Sequence, residues 1–439
     1  MFLMSGAFRA LKRQELDAWN WRSASVLFVC YGWDPGRDGA ETLAGRRLVT
    51  AMLEAGARVN VLATNRADDE VADNGAYSVT VVPTSPFPSH KVGRAFEMMR
   101  SRIPECEGNW VDAAIDAGRR ALASMPSNTV IYGRAMPGSS NIVAWHLARL
   151  TGTPWVAHFS DEWPSPQVLS NRRRWYAPYK WPLFELWRRR ILRDSGALTF
   201  TNPHQAKTFL KPHRTRDVAK SFVVTHLGSE GSMRRHPPQF DHFNIVHTGN
   251  FYPPGHSSAT LIQGVQKFLE RTPAARAHTQ FIQAGWGNGD MPEWTTRCGL
   301  EDVVRFAGRL PQSEVVGLLD SASLLVGVDY ARPESSTLLS KLPDYINAKR
   351  PILVITAASS AMGRLFNEDA VGLTAHYDSP DEVAERIRMV FDAWQERRLD
   401  RFLPRAAAVE SFARRRVLAE LAGAFVVARR RAGRGGGPE

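Results

Sequence analysis

Short apolar runs that end in glycine or polar residues alternate with stretches of helical periodicity along most of the 439 residues. The run at 25–33 (SVLFVCYGW) is rich in β-branched and aromatic residues, and it predicts a buried strand that enters the loop DPGRDG. Residues 41–56 follow with leucines at helical spacing and with Gly56 where a helix C-cap glycine belongs. Residues 58–64 (RVNVLAT) predict the next strand, so the unit predicts a right-handed crossover between parallel strands.

The same alternation continues in both halves of the chain. Further strands are predicted at 129–133, 155–160, 197–201, 243–249, 279–285, 303–308, 323–328 and 351–355, and further helices at 141–150, 258–271, 313–321 and 339–349. Residues 228–243 between the two series are polar and contain proline, which is typical of a connection between domains. The pattern predicts an α/β protein with two Rossmann-like doubly wound domains that face a cleft.

Length and composition agree with a folded protein of several domains. The chain has 44% hydrophobic and 23% charged residues, and its length suits two or three domains with their own cores. We expect an N-terminal domain at 1–235, a second domain at 236–410, and a C-terminal helix with a basic, Gly-rich tail at 411–439, the helix packing back on the N-terminal domain. The three cysteines are far apart and lack metal-ligand spacing, so no disulfide framework and no metal site are expected.

The apolar runs also bear on location. None approaches the roughly 18–20 uncharged residues that span a bilayer, and the N-terminal residues place their basic side chains after the apolar patch, which is the wrong order for a secretory signal. We expect a cytoplasmic protein, with peripheral attachment to the inner face of the plasma membrane as a further expectation.

Charge is concentrated in one segment of a basic chain. Lysines and arginines number 56 against 44 acidic residues, and residues 171–193 hold eight basic side chains against one acidic. In Asn171–Asp194 these alternate with aromatic residues, which is typical of a helix on an anionic membrane surface. A core helix with a solvated arginine face is a second interpretation, and stacking on single-stranded nucleic acid is a third and least favoured one.

Candidate chemistry lies at the predicted strand ends, where doubly wound domains bind their ligands. Gly39 in the first loop allows close approach of a sugar or phosphate, or belongs to an ordinary turn. In HFSDEW, Asp161 is placed to orient a hydroxyl and Trp163 to stack on a sugar ring. Asp161 alternatively caps the next turn, and His158 alternatively packs in the core.

The segment 331–355 (ARPESSTLLSKLPDYINAKRPILVI) is the most informative one. A polar loop that begins at Glu334 precedes a predicted helix with Lys341 and Asp344. Lys341 is able to neutralise a pyrophosphate, and Asp344 is able to accept hydrogen bonds from two ribose hydroxyls. The alternative is a surface helix on which Lys341 and Asp344, three residues apart, pair with each other.

Several segments in this order resemble the retaining glycosyltransferases of family 4, which have the GT-B fold. They are VLFVCYGWDPGRDGAETLAGRRL, TGTPWVAHFSDEW, ALTFTNPHQAKTFL, FNIVHTGNFYP, VVRFAGRLPQSEVVGLLDSASLLVGV and KLPDYINAKRPILVI. The resemblance covers roughly residues 26–394. It implies a nucleotide-diphosphate sugar bound mainly by the second domain and an acceptor bound mainly by the first, without a metal or other cofactor.

The resemblance also implies roles for single residues. Asp344 corresponds to the second acid of the family's E-x7-E signature, which holds the donor ribose. Gly249 and Asn250 lie in the donor-domain loop, and Gly39 lies in the first glycine loop. Lys341 would counter the charge of the departing diphosphate, which is the electrostatic work that such a reaction needs.

The chain departs from the family pattern at three places. Ser336 stands where the first acid of the signature is expected, so Ser336 and Glu334 are both candidates for donor binding. The Arg and Lys pair that commonly follows the Gly249 loop is replaced by PPGHSS, and Arg134 stands where many members have a histidine.

The resemblance implies a retaining glycosyltransferase of hexosyltransferase type. It would move a sugar from a nucleotide-diphosphate sugar to a glycan or lipid-linked acceptor in cell-surface polysaccharide synthesis. Asp161 and Lys341 are the catalytic candidates, and Gly39, Arg134, His158 and Trp163 are candidates for an acceptor or phosphate site. The alternative is a non-catalytic GT-B-like protein that binds an anionic ligand or nucleic acid.

Overall fold

The computed structural model describes residues 19–66, 75–84, 92–93, 96, 101–105, 109–135, 137–164, 177–210, 215–229, 241–251 and 257–434. Within these residues the chain divides into two compact units. The first combines the described parts of Leu3–His226 with those of Arg414–Glu439, and the second is Leu227–Ala413. Each unit is described by itself.

The first unit is built on a seven-stranded parallel sheet with the order β3-β2-β1-β4-β5-β6-β7. The strands are β1 Ser25–Val29, β2 Arg58–Ala63, β3 Tyr77–Val81, β4 Val130–Ala135, β5 Trp155–Phe159, β6 Ala197–Phe200 and β7 Ser221–Val223. The helices are α1 Pro35–Asp38, α2 Ala40–Glu54, α3 Val111–Ser124, α4 Ser139–Thr151, α5 Ala177–Asp194, α6 Pro203–Leu210 and α7 Thr215–Val218, with a 3-10 turn at Trp21–Ser23 and the C-terminal helix Arg414–Arg434.

Both faces of this sheet are buried, which explains why its strands are almost continuously apolar. Leu27 of β1 belongs to the core that includes Leu147 of α4. On the opposite face Phe28 stacks on Tyr132 with ring centres 5.4 Å apart, and Tyr132 contacts Phe425 of the C-terminal helix at 6.1 Å. The last helix of the chain therefore covers one face of the first unit.

The second unit is built on a six-stranded parallel sheet with the order β10-β9-β8-β11-β12-β13. Its strands are β8 Phe243–Thr248, β9 Thr279–Ala284, β10 Val304–Gly308, β11 Leu324–Val328, β12 Ile352–Ile355 and β13 Leu373–Ala375. Its helices are α8 Ala259–Arg271, α9 Met291–Arg297, α10 Gln312–Asp320, α11 Leu342–Ala348, α12 Ala361–Asp369, α13 Pro380–Gln395 and α14 Ala406–Ser411, with 3-10 turns at Pro273–His278 and Leu399–Phe402.

Alternate residues of these strands pack on opposite layers of helices. Ile245 of β8 faces α8 and α13, whereas the next residue, Val246, belongs to the core that contains Tyr345 and Ile346 of α11. Two doubly wound parallel sheets of this kind confirm the predicted α/β class with two Rossmann-like domains.

The helix predicted at 339–349 is shorter in the structure. It begins at Leu342 with Pro343 in its first turn, and Lys341 occupies the N-cap position. Proline suits this first turn because its missing N–H would have no partner there. Lys341 therefore lies just before the helix, and Asp344 lies within its first turn.

Among the described residues, no helix combines the length and the apolar character needed to cross a membrane. The same residues contain no group of three or more histidine, cysteine or acidic side chains placed to hold a metal ion.

Candidate functional site

The strand order of each sheet reverses at one point, and loops after the strands on both sides of that point form the usual ligand site of such sheets. In the second unit the reversal falls between β8 and β11. The chain leaves β8 through Gly249 and Asn250 and leaves β11 through Asp329. The sequence candidates for donor binding therefore lie at this switch point or on the segment that follows β11.

The loop after β8 is held in one shape by its neighbours. Gly249 has a φ of +114°, which favours glycine, and its N–H donates to the Ala284 carbonyl at 2.7 Å. Asn250 Oδ1 accepts from the backbone N–H groups of Trp286 at 2.7 Å and Gly287 at 2.9 Å. The Asn250 side chain thus joins the loops after β8 and β9.

Lys341 lies directly against this loop. A methyl group placed on Gly249 would be only 2.7 Å from Lys341 Nζ, so a side chain at this position would displace the Lys341 ammonium from the loop. Lys341 Nζ lies 3.2 Å from His247 Nε2. Burial lowers the pKa of Lys341 to about 7, because the charged ammonium loses hydration there.

Asp344 is buried and oriented by the segment that enters the second unit. One of its carboxylate oxygens accepts from Ser229 N at 2.6 Å and from Ser229 Oγ at 2.5 Å. The side chain of Gln312 in turn donates to Ser229 Oγ at 3.2 Å. The alternative that Lys341 and Asp344 pair with each other is wrong, because Lys341 contacts His247 and Asp344 contacts Ser229.

The two donor-binding candidates on the polar loop after β11 differ in their exposure to solvent. Glu334 is exposed, whereas Ser336 is fully buried. Asp329 at the start of this loop accepts from Thr356 Oγ1 at 2.9 Å and from Ser335 Oγ at 3.2 Å. Burial raises the pKa of Asp329 to about 6. Asp329 anchors the loop, and the sequence analysis did not identify it.

The first unit places a buried ion pair at its own switch point, between β1 and β4. Arg134 Nε, at the end of β4, lies 2.8 Å from Glu41 Oε1 in the first turn of α2. Burial raises the pKa of Glu41 to about 7; Arg134 opposes this shift and Asp161 adds to it. His226 beyond β7 has its pKa lowered to about 3 by burial, with Arg134 as a further cause. Arg134, Glu41, Asp161 and His226 thus interact electrostatically.

The remaining acceptor-site candidates lie in different surroundings. Gly39 is exposed between α1 and α2 with a φ of +82°. His158 is buried, its Nδ1 is 3.0 Å from Thr199 Oγ1, and burial lowers its pKa well below the usual value, so its ring is neutral. Asp161 follows β5 and is half-buried.

The expectation that Trp163 offers a flat face to a sugar ring is wrong. Trp163 is only 4% exposed, and its ring contacts Phe184 with centres 5.3 Å apart. Its indole N–H donates to Glu105 Oε1 at 2.7 Å. The ring packs in the core because an apolar side chain just beyond a central strand lies beneath α5.

The basic aromatic stretch is only partly an outer surface. Residues 171–176 lie outside the described residues. In α5, Phe184 and Trp187 are buried in the core, whereas Trp181 is 43% exposed and Arg189 is 72% exposed. Phe184 and Trp187 therefore agree with the second interpretation, a core helix, whereas Trp181 lies on the outer surface.

The two doubly wound parallel sheets have the arrangement of the GT-B fold. Residues 39–218, within the first unit, match the family model described as a glycosyl transferase 4-like domain. This match covers less than half of the chain, and the solved structures that the chain resembles show the GT-B fold. Among curated protein sequences, none matches the chain.

Solved structures of the same fold include three that cover nearly the whole chain. HepE of Anabaena, solved in complex with UDP and glucose, is 15% identical with a TM-score of 0.62, over 90% of this chain and 98% of its own. Sucrose-phosphate synthase of Thermosynechococcus elongatus is 14% identical with a TM-score of 0.60, over 94% and 98%. WaaG, a glycosyltransferase involved in lipopolysaccharide biosynthesis, is 14% identical with a TM-score of 0.55, over 94% and 100%.

Sequence reasoning missed the partners that hold the candidate residues. His247 lies within a predicted strand, Ser229 within the predicted connection and Glu41 at the start of a predicted helix. One signal is available, since His247 is a polar residue directly after the apolar pair Ile245 and Val246 of β8.

Proposed function

We propose that the protein is a retaining glycosyltransferase that moves a hexose or related sugar from a nucleotide-diphosphate sugar to a hydroxyl of a cell-surface polysaccharide or lipid-linked glycan. The observation that carries this proposal is the contact of Lys341 with the Gly249 loop at the switch point of the second unit. A cation against a glycine loop at that place suits a diphosphate. The complex of HepE with UDP and glucose supports the same ligand class.

The donor would be held by groups with different tasks. The ammonium of Lys341 and the backbone of Gly249 and Asn250 would contact the diphosphate, and the carboxylate of Asp344 would accept from the ribose hydroxyls. Glu334 and Ser336 would contribute from the loop after β11. In the reaction the bond from the sugar C1 to the diphosphate breaks, the acceptor oxygen bonds to C1 on the same face, and the acceptor proton leaves with the diphosphate. Lys341 would stabilise the charge that develops on that leaving group.

The acceptor would be bound by the first unit. Asp161 would orient the acceptor hydroxyl, Gly39 would allow close approach of the ligand to the backbone, and Arg134 would contribute positive charge. His158 would act by packing, since its ring is buried and neutral.

Attachment to an anionic membrane surface would bring the enzyme to a lipid-linked acceptor. Trp181, Leu186, Arg189 and Arg193 form an outer face of α5 with exposed apolar and basic side chains. This mixture suits a headgroup layer. Co-sedimentation with phosphatidylglycerol vesicles tests it, and equal binding of wild type and R189E/R193E would contradict it.

Release of nucleoside diphosphate from a panel of nucleotide sugars tests the donor site. We expect wild type to release UDP, GDP or dTDP from one of UDP-glucose, GDP-mannose and dTDP-glucose when a glycan acceptor is present. K341M and D344N should lower kcat/KM about 100-fold, since each removes a charged hydrogen-bonding group from the donor. D344N keeps an oxygen that accepts from Ser229. A lower kcat/KM of D344N therefore reports the loss of the negative charge and not a change in the local fold.

K349M is the matched control, because Lys349 is an exposed lysine at the other end of the same helix. It should retain wild-type activity. The anomeric configuration of the product, measured by NMR, tests retention. A non-catalytic binding protein would instead show a thermal shift with a nucleotide sugar and no release of diphosphate under any of these conditions.

A further inference from the structure

Lys341 and His247 form a contact between two positively ionisable side chains, 94 residues apart in sequence. His247 is fully buried on β8, and its ring stacks on Phe251 with centres 4.5 Å apart. Lys341 is held on one side by this ring and on another by the backbone of Gly249. The geometry fixes the Lys341 nitrogen beside the loop after β8.

The other ring nitrogen determines the tautomer of His247. His247 Nδ1 lies 2.9 Å from the carbonyl oxygen of Val326, which only accepts hydrogen bonds. Nδ1 must therefore carry the proton. In the neutral ring Nε2 is then an acceptor, and Lys341 donates to it.

Only one of the two side chains in this contact is able to carry a positive charge at a time. If His247 were also protonated at Nε2, that N–H would point at Lys341, which would have to be a neutral amine in order to accept it. Two like charges 3.2 Å apart in a buried place are strongly disfavoured. The pair therefore holds at most one proton beyond the neutral forms.

Other ionisable groups around the switch point are occupied elsewhere. Asp344 is bound by Ser229, and Asp329 is bound by Thr356 and Ser335. The Tyr345 hydroxyl accepts from Thr248 N, and burial raises its pKa to about 12, so it is neutral. Glu334 on the same loop is exposed. Within the described residues, no carboxylate lies within 4 Å of Lys341 Nζ.

Lys341 therefore has the geometry of a cation whose counter-charge must come from a ligand. An ammonium has three donors, and His247 takes one of them. Since burial lowers the pKa of Lys341 to about 7, Lys341 is a neutral amine in most molecules above neutral pH. A bound diphosphate favours the ammonium and raises this pKa again.

We propose that Lys341 takes up a proton when a nucleotide-diphosphate sugar binds at the Gly249 loop, and that His247 is the positioning residue that aims the resulting ammonium at the diphosphate. This inference rests on the proposed function, because it assumes that the loop binds such a donor. It adds that donor binding is coupled to pH through one identified side chain.

Isothermal titration calorimetry measures the proton directly. The probe is whichever of UDP-glucose, GDP-mannose and dTDP-glucose gives the largest thermal shift; its diphosphate is esterified at both ends and has no proton to exchange between pH 6 and 9. At each pH, titrations in two buffers, MES and bis-Tris at pH 6 and Bicine and Tris at pH 8.5, differ in heat by the number of protons taken up multiplied by the difference between the ionisation enthalpies of the two buffers. We expect uptake near zero at pH 6 and close to one at pH 8.5, with affinity falling about tenfold for each pH unit above about 7.

Substitutions separate the two residues. K341M should abolish the uptake and leave a weak affinity that no longer depends on pH, whereas the matched variant K349M should behave as wild type. H247L should weaken binding about tenfold at pH 6, because Lys341 loses the acceptor that aims it. H247Q should restore binding, since an amide is able to donate to Val326 and to accept from Lys341.

Each outcome decides between the two proposals. Heat that is independent of buffer at pH 8.5, or uptake that survives in K341M, overturns this inference while the observed binding keeps the proposed function. If none of the three nucleotide sugars binds, the proposed function fails and this inference fails with it. Should H247L not fold, the comparison of wild type with K341M still decides.

Discussion

Burial of ionisable side chains at the strand ends links sequence to chemistry in both units. Asp329 directly follows β11, whereas Glu41 and Lys341 lie at the starts of helices that follow β1 and β11, and burial shifts the pKa of each toward neutrality. A charged group loses hydration on burial, and the hydrogen-bond partners of these groups compensate only part of that loss. Groups with pKa values near 7 respond to a ligand's charge, so these three are where protonation and binding should be coupled.

Glu41 allows a test of this effect on stability. Its pKa is raised from 4.5 to about 7 in the folded protein, so the folded state binds more protons than the unfolded state between these values. The stabilisation by protonated Glu41 is present below pH 4.5 and is lost as pH rises through about 7. E41Q resembles the protonated form. We expect E41Q and wild type to unfold alike at pH 5, and E41Q to be more stable by on the order of 1–2 kcal/mol at pH 8, a value reduced for the 24% exposure of the side chain.

Guanidinium chloride unfolding at the two pH values measures this difference. D116N is the control, since Asp116 is an exposed carboxyl group on α3 of the same unit. If E41Q becomes less stable than wild type between pH 5 and pH 8, the attraction between ionised Glu41 and Arg134 outweighs the cost of burying the charge, which contradicts the expectation.

At the scale of elements, the central strands were predictable because burial on both faces leaves a continuous apolar signal. Predicted and observed bounds of β5 and β8 agree within one residue. The pattern does not predict β3, β7 or β13, which are edge strands of three to five residues. Edge strands such as β3 are only partly covered, so polar side chains such as Ser78 and Thr80 interrupt the apolar signal.

The candidate site was predictable in its positions and not in its contacts. Lys341 and Asp344 stand out because they lie just before and just after the start of a helix that follows a strand at the expected switch point. Their partners His247 and Ser229 lie about a hundred residues away, and pairing over such separations leaves no local pattern. Trp163 shows the same limit, because its burial depends on α5 and Glu105, and neither is visible from the segment HFSDEW.

The helices α8 and α13 of the second unit pack closely enough to allow a prediction about a glycine at their contact. Gly264 lies inside α8, where a Cβ atom would stand 2.4 Å from Cγ1 of Val383 in α13. Alanine favours the helix by about 1 kcal/mol over glycine, but the overlap forces two packed helices apart. We expect G264A to destabilise the protein by about 1–3 kcal/mol in guanidinium chloride unfolding.

Two variants test this reason. G317A changes a glycine of α10 whose added Cβ meets nothing within 4 Å, so it should be neutral or stabilise by up to about 1 kcal/mol. V383A should relieve part of the cost when it is combined with G264A. If G264A and G317A have the same effect, helix propensity alone explains the result and the packing argument fails.

The chain connectivity of the whole molecule predicts which parts fold alone. The second unit is continuous over Leu227–Ala413, with both faces of its sheet covered by its own helices. The first unit needs the C-terminal helix, which follows the second unit in sequence and packs on the first. Phe425 covers Tyr132, and an added Cβ on Gly196 would stand 2.7 Å from the backbone of Ala428. Without this helix, part of one apolar face of the seven-stranded sheet lies open to water, since α2 covers the rest near Phe28.

Three fragments test this dependence. Residues 227–413 alone should give a soluble protein with a cooperative thermal transition, because no covering helix is lost. Residues 1–226 alone should aggregate or bind a hydrophobic dye, since the part of the sheet face around Tyr132 is uncovered. Residues 1–226 joined by a Gly/Ser linker to residues 414–439 should regain a cooperative transition. A cooperative transition in 1–226 without the helix would show that the first unit is stable without it. If the joined fragment fails to fold, the first unit depends on the second unit for its stability.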